Sequence, residues 1–170
     1  TACTALKRGR QLLISNVGDS RAVLGTLDDA GRVVARDLSV DHKPDDARER
    51  QRIESNGGYV APSRMPGVGY VGPARVWDRS QRFGLACSRS MGDTVYVSNQ
   101  AGVIPDPEVT SHRLSKKDQL LIFGSDGVWD HISSQEAVAI AAQAKTPQQA
   151  SDRLTQVRPI TPHRSIRQMR

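Results

Sequence analysis

The run Asp118-Gln-Leu-Leu-Ile-Phe-Gly124 is the feature that most constrains this chain. Its apolar centre has the length of a buried strand and is too short for a core helix. It empties directly into Ser125-Asp126-Gly127, so the backbone must turn where the strand ends. Ser133, with Glu136 three residues on, then forms a capping box ahead of the helical run Glu136–Ala144. Thr146-Pro147 starts a shorter helix that is expected to reach about Val157.

The first third reads as β structure. Gln11–Val17 and Ala22–Leu27 are short apolar or β-branched runs, and Gly18-Asp19-Ser20 between them predicts a tight hairpin. Asp28–Gly31 predicts the next turn and Arg32–Arg36 the next strand, giving an antiparallel meander. Pro44 is expected at a first helical position, with Asp45 and Asp46 in the first turn. The mostly exposed helix that follows should stop at Asn56-Gly57-Gly58. Residues 61–84 are rich in Gly and Pro with little periodicity, which predicts a mobile flap or a poorly ordered insertion. Val103–Val109, with Pro105 and Pro107, reads as an extended connector.

Composition excludes some functions. No apolar run among the 170 residues is long enough to span a membrane, and 37% hydrophobic content supports one modest core. Four of the arginines behind the net charge of +6 (Arg158, Arg164, Arg167 and Arg170) fall in a final stretch without acids. The remaining body carries twenty basic and eighteen acidic residues, an ordinary solvated surface, so nucleic-acid binding is not expected. Residues 158–170 are expected to form a basic, disordered tail beyond a partial domain at 1–157. Only Cys3 and Cys87 are present, which fits a reduced, intracellular setting, cytoplasmic or nuclear. The first residues lack an initiator Met and a signal-like pattern, so the start is expected to be internal to a longer protein.

The strongest chemical signal is Ser125-Asp126-Gly127-Val128-Trp129-Asp130. A strand delivers Asp126 to its end, and one helical turn returns Asp130 to the same side. Two carboxylates at one point suit hard cations such as Mg²⁺ or Mn²⁺ better than zinc. Equally, Asp126 is read as a helix cap and Asp130 as a solvated charge. Asp41, in Val40-Asp41-His42-Lys43-Pro44, is as good a cap as a ligand, and His42 reads as a surface imidazole. Asp19 reads as a turn residue. Neither a nucleophile elbow nor a phosphate loop is present, and Cys87 has no neighbouring His in sequence.

Together these segments resemble the type 2C (PPM) family of metal-dependent serine/threonine protein phosphatases. The resemblance lies in Leu13-Ile-Ser-Asn-Val-Gly-Asp-Ser-Arg-Ala-Val-Leu24, Leu38-Ser-Val-Asp-His-Lys-Pro44, Glu54–Gly58, Leu85-Ala-Cys-Ser-Arg-Ser-Met-Gly-Asp93, Ile104-Pro-Asp-Pro-Glu-Val109 and Phe123–Asp130, in that order. It implies an α+β fold, part of a four-layer α-β-β-α sandwich with two packed antiparallel sheets. It further implies a two-metal Mg²⁺ or Mn²⁺ centre, with a possible third ion, whose activated water attacks phosphoserine or phosphothreonine in protein substrates. Carried over by motif, Asp126 is a ligand of the metal pair, and Asp41 and Asp130 join it around the more weakly held third ion. Arg89 belongs to a flap beside the substrate cleft.

The family's Asp-Gly-His-Gly segment and its late Asp-Asn or Asp-Asp pair have no counterpart here. The expectation is therefore a phosphatase fragment inactive by itself. The alternative is a truncated or pseudo-phosphatase acting as a regulatory binding module.

Overall fold

A computed structural model describes residues 1–80, 84–94 and 101–157. In chain order they form β1 (Ala2–Arg8), β2 (Gln11–Val17), β3 (Arg21–Leu27), β4 (Val33–Asp37), α1 (Ala47–Ser55), β5 (Tyr59–Met65), β6 (Gly69–Trp77), β7 (Gly84–Leu85), β8 (Glu108–Arg113), β9 (Asp118–Gly124), α2 (Asp126–Trp129), α3 (Ser134–Ala142) and α4 (Pro147–Thr155). The described residues divide into two compact units, one within Thr1–Ala22 and Leu38–Leu114 and one of Val23–Asp37 with the described residues from Ser115 onward. The basic tail expected at 158–170 lies outside the described residues.

In the first unit β1, β2 and β8 form an antiparallel sheet with β2 at its centre. Alternation in β2 puts Leu12, Ile14 and Asn16 on its buried face. β1 carries no strand signal in its sequence, since its outer residues are exposed, Leu6 among them at 65%. A two-residue connection through Gly9, at φ +59°, pairs it with β2.

The expected hairpin at Gly18-Asp19-Ser20 does not form. β2 and β3 belong to different sheets, β1-β2-β8 and β4-β3-β9. Gly18 turns instead at φ +104° and exchanges hydrogen bonds with His42, its N–H donating to Nδ1 and its carbonyl accepting from the His42 N–H. Gly, Asp and Ser suit any sharp turn, and pairing partners decide whether that turn closes a hairpin.

Within the stretch 61–84, expected as a flap or insertion, the described residues form strands β5, β6 and the start of β7, and residues 81–83 lie outside the described residues. β5, β6 and β7 form an antiparallel sheet, with Tyr59 opposite Trp77 and Met65 opposite Gly69. The register shifts between Pro62 and Ser63, where a proline cannot donate to the ladder. The Trp77 indole donates to the Ala61 carbonyl at 2.8 Å and its ring stacks on Tyr59. Val60 and Val76 reach inward to Ile53, Ala101 and Val103, forming one buried apolar cluster of this unit. Gly and Pro mask the alternation that carries this packing.

Helix α1 begins later than expected. Pro44 lies buried in the preceding turn, and Asp46 is the cap, accepting from the Arg48 and Glu49 N–H groups. The stop at Asn56 and Gly57, the latter at φ +86°, is as anticipated.

The second unit is built on the sheet β4-β3-β9. Val23, Ile122, Trp129, Ile132, Ala137, Val138, Ala141 and Leu154 form its core. Each large apolar residue fully buried there contributes about 1.5–3 kcal/mol. A Cβ at Gly25 would stand 2.8 Å from the Leu120 side chain and 3.1 Å from that of Val138, so close packing here demands glycine. The edge of β4 is covered by Gln135, whose amide accepts from the Ala35 N–H and donates to the Val33 carbonyl. The expected capping box at Ser133 and Glu136 and the Thr146 cap before Pro147 are both present. No described helix is long and apolar enough to cross a membrane.

Candidate functional site

β9 delivers the chain to Ser125, which caps the single turn α2 with extended backbone. Asp126 is the first helical residue and Asp130 the C-terminal cap, its N–H donating to the Asp126 carbonyl at 2.8 Å. Trp129, between them, is buried, and its indole donates to the Gly124 carbonyl at 2.7 Å. The turn is thus pinned by one side while the two aspartates stay exposed. Four residues apart on one turn, they face the same side, as the spacing requires. Asp126 does not occupy the cap position.

An exposed, all-oxygen pair of this kind fits a hard divalent cation. Two carboxylates complete neither an octahedral shell nor a two-ion centre by themselves. Among the described residues no three His, Cys, Asp or Glu side chains gather into a metal-holding cluster.

Asp41 lies in the first unit and is engaged by a cation of the chain itself. Arg21 Nε donates to Oδ1 at 2.8 Å and Nη2 to Oδ2 at 2.7 Å, with both side chains largely buried. Asp41 therefore does not fit a metal as it stands, since a bound ion would sit against the guanidinium.

His42 is not at the surface: it is 2% exposed. Because Nδ1 accepts from the Gly18 N–H, the neutral ring carries its proton on Nε2, which lies 3.5 Å from a Glu108 carboxylate oxygen. Burial chiefly, with the Arg89 charge, pushes the imidazole below its ordinary range, against the pull of Glu49 and Glu108. Asp19, also buried, holds the Lys43 ammonium at 2.9 Å, a structural pairing.

Arg89 belongs to a cluster that the sequence did not mark. Glu49, 4% exposed on α1, accepts from the forks of both Arg52 and Arg89 and from the Ser88 hydroxyl at 2.5 Å. Arg89 Nη1 also donates to the Asp106 carbonyl. Burial would raise the Glu49 carboxyl, but the hydrogen bonds from Arg52, Arg89 and Ser88 outweigh it and hold the group well below the usual carboxylate range. The spacing of Glu49 and Arg52 was readable as a helical pair, whereas its burial and its link to Arg89, forty residues on, were not.

Cys87 is a buried thiol pushed up to about 11, by burial first and then by Asp19, and is unsuited to nucleophilic work. Both cysteines are free.

A family model described as Protein phosphatase 2C matches residues 1–158. A rice protein (Oryza sativa subsp. japonica) named "Probable protein phosphatase 2C 12" is 44% identical over 153 residues, covering 89% of this chain and 38% of its own length. An Arabidopsis thaliana protein named "Probable protein phosphatase 2C 34" is 42% identical over 158 residues, covering 92% of this chain and 42% of its own. The chain thus spans less than half the length of these curated relatives. Among solved structures, a serine-threonine phosphatase 2C from Toxoplasma gondii superposes with a TM-score of 0.74 at 26% identity, over 90% of this chain and 51% of that one. The α+β fold with antiparallel sheets is shared with that enzyme.

Proposed function

The chain belongs to the protein phosphatase 2C family, and from that membership we propose that it is a segment of a metal-dependent phosphatase acting on phosphoserine and phosphothreonine in proteins. The observation that carries the reading within the chain is the exposed pair Asp126 and Asp130 on the pinned turn α2. Those carboxylates would hold Mg²⁺ or Mn²⁺, which when bound supplies an acidified water and neutralises phosphate charge. The chain's own part is to fix the two ligands. β9 and the Trp129–Gly124 hydrogen bond hold the backbone of the turn still.

The chain alone is expected to turn over weakly or not at all, because two carboxylates leave a divalent centre short of ligands. That shortage also supports the second reading, a regulatory module that presents the fold without hydrolysis. The free thiols support an intracellular setting.

The test is hydrolysis of a phosphothreonine peptide with Mn²⁺ and with chelator, beside a phosphotyrosine peptide. Mn²⁺-dependent release restricted to the phosphothreonine peptide supports the enzyme reading. Chelator-insensitive release, or equal release from phosphotyrosine, overturns it.

A further inference from the structure

We infer that Asp41 is the anchor of an internal arginine clamp rather than a cation ligand. The inference stands on geometry in the first unit.

Arg21 is the first residue of β3, and its planar fork meets Asp41 with one nitrogen on each carboxylate oxygen, at 2.8 and 2.7 Å. A bidentate pair of this kind is strong and directional. A divalent ion about 2.1 Å from either oxygen would stand within a few ångströms of the guanidinium, so binding would require breaking the fork.

The backbone around Asp41 gives it little freedom to turn away. On one side the Val40 carbonyl accepts from the buried Asn16 amide at 2.9 Å, and the Ser39 hydroxyl accepts from the Ala22 N–H at 2.9 Å. On the other, His42 exchanges two hydrogen bonds with Gly18, and its carbonyl accepts from the Ser88 N–H at 2.9 Å. Leu38 N–H donates to the Ala22 carbonyl at 2.9 Å. The segment Leu38–Pro44 is therefore stapled residue by residue to the end of β2 and the start of β3, and the Arg21–Asp41 fork is its charged staple. The clamp accounts for both charges of the pair without any ion.

Two measurements on the 170-residue chain test this. In the first, free Mn²⁺ is followed by electron paramagnetic resonance during titration. Asp41→Asn and Arg21→Gln are each expected to leave Mn²⁺ binding within about twofold of wild type. Tighter binding in Arg21→Gln, or tenfold weaker binding in Asp41→Asn, overturns the inference, because a masked ligand would behave that way. Should Asp41→Asn fail to fold, Arg21→Gln decides. Should wild type bind no Mn²⁺, Arg21→Gln is still decisive, because Mn²⁺ binding gained in that variant overturns the inference.

In the second, urea midpoints are measured with chelator present. Arg21→Gln and Asp41→Asn are each expected to lower the midpoint, and the double variant to fall no further than the worse single. Strictly additive losses overturn the clamp, whatever the Mn²⁺ titration shows.

Discussion

The Trp129 indole folds back onto Gly124 five residues earlier, donating to its carbonyl at 2.7 Å and lying where a Cβ at that position would come within 2.9 Å of the ring. The strand end and the turn bearing both aspartates are thereby one rigid piece. Trp129→Phe keeps most of the packing and removes the hydrogen bond, so it should cost about 1 kcal/mol in urea denaturation. Gly124→Ala must push the ring away and should cost about 1–3 kcal/mol. If Gly124→Ala proved neutral, the ring would not be locking the turn.

Glu49 predicts the acid limb of stability. Its carboxyl is held below its unfolded value, so the unfolded chain binds more protons in the window between the two. The stabilisation is fully present above about pH 4.5 and is lost as pH falls from there toward the folded-state value. Glu49→Gln should flatten that limb and lower stability at pH 7 by about 2–4 kcal/mol, since it leaves Arg52 and Arg89 facing a neutral amide. The check is the urea midpoint of both proteins between pH 7 and pH 3; parallel curves would mean that Glu49 does not titrate with unfolding.

The capping box before α3 makes a smaller claim. The Ser133 hydroxyl accepts from the Glu136 N–H, while the Glu136 carboxylate accepts from the Ser133 N–H. Ser133→Ala should cost about 1 kcal/mol by thermal denaturation. Ser133→Asp, which keeps a capping acceptor, should recover most of it.

Elements whose signal is local were legible in the sequence. β9 appears with the bounds its apolar run suggested, and the helix caps at Ser133 and Thr146 need only neighbouring residues. What failed depends on remote partners. Gly18 turns toward His42 rather than into a hairpin, a choice made twenty-four residues away. The sheet β5-β6-β7 hid behind its glycines and prolines, and its inward Val60 and Val76 were recognisable only once Ile53 and Val103 were beside them. His42 read as a surface ring because nothing local marks it as covered. Within the candidate site, the side-by-side placement of Asp126 and Asp130 followed from helical period. The burial of Asp41 and Arg89 in ion pairs with Arg21 and Glu49 did not, because those contacts span twenty and forty residues.

The most direct test of the account is phosphothreonine peptide hydrolysis with Mn²⁺ by two proteins, this 170-residue chain and a version within a chain of the length of its curated relatives, each with and without Asp126→Asn. Turnover is expected in the longer protein, with a loss of about a hundredfold or more in its Asp126→Asn variant and little or no turnover in the short chain. Undiminished turnover in the longer Asp126→Asn variant would contradict it, because the residue assigned to hold the cation would then be dispensable.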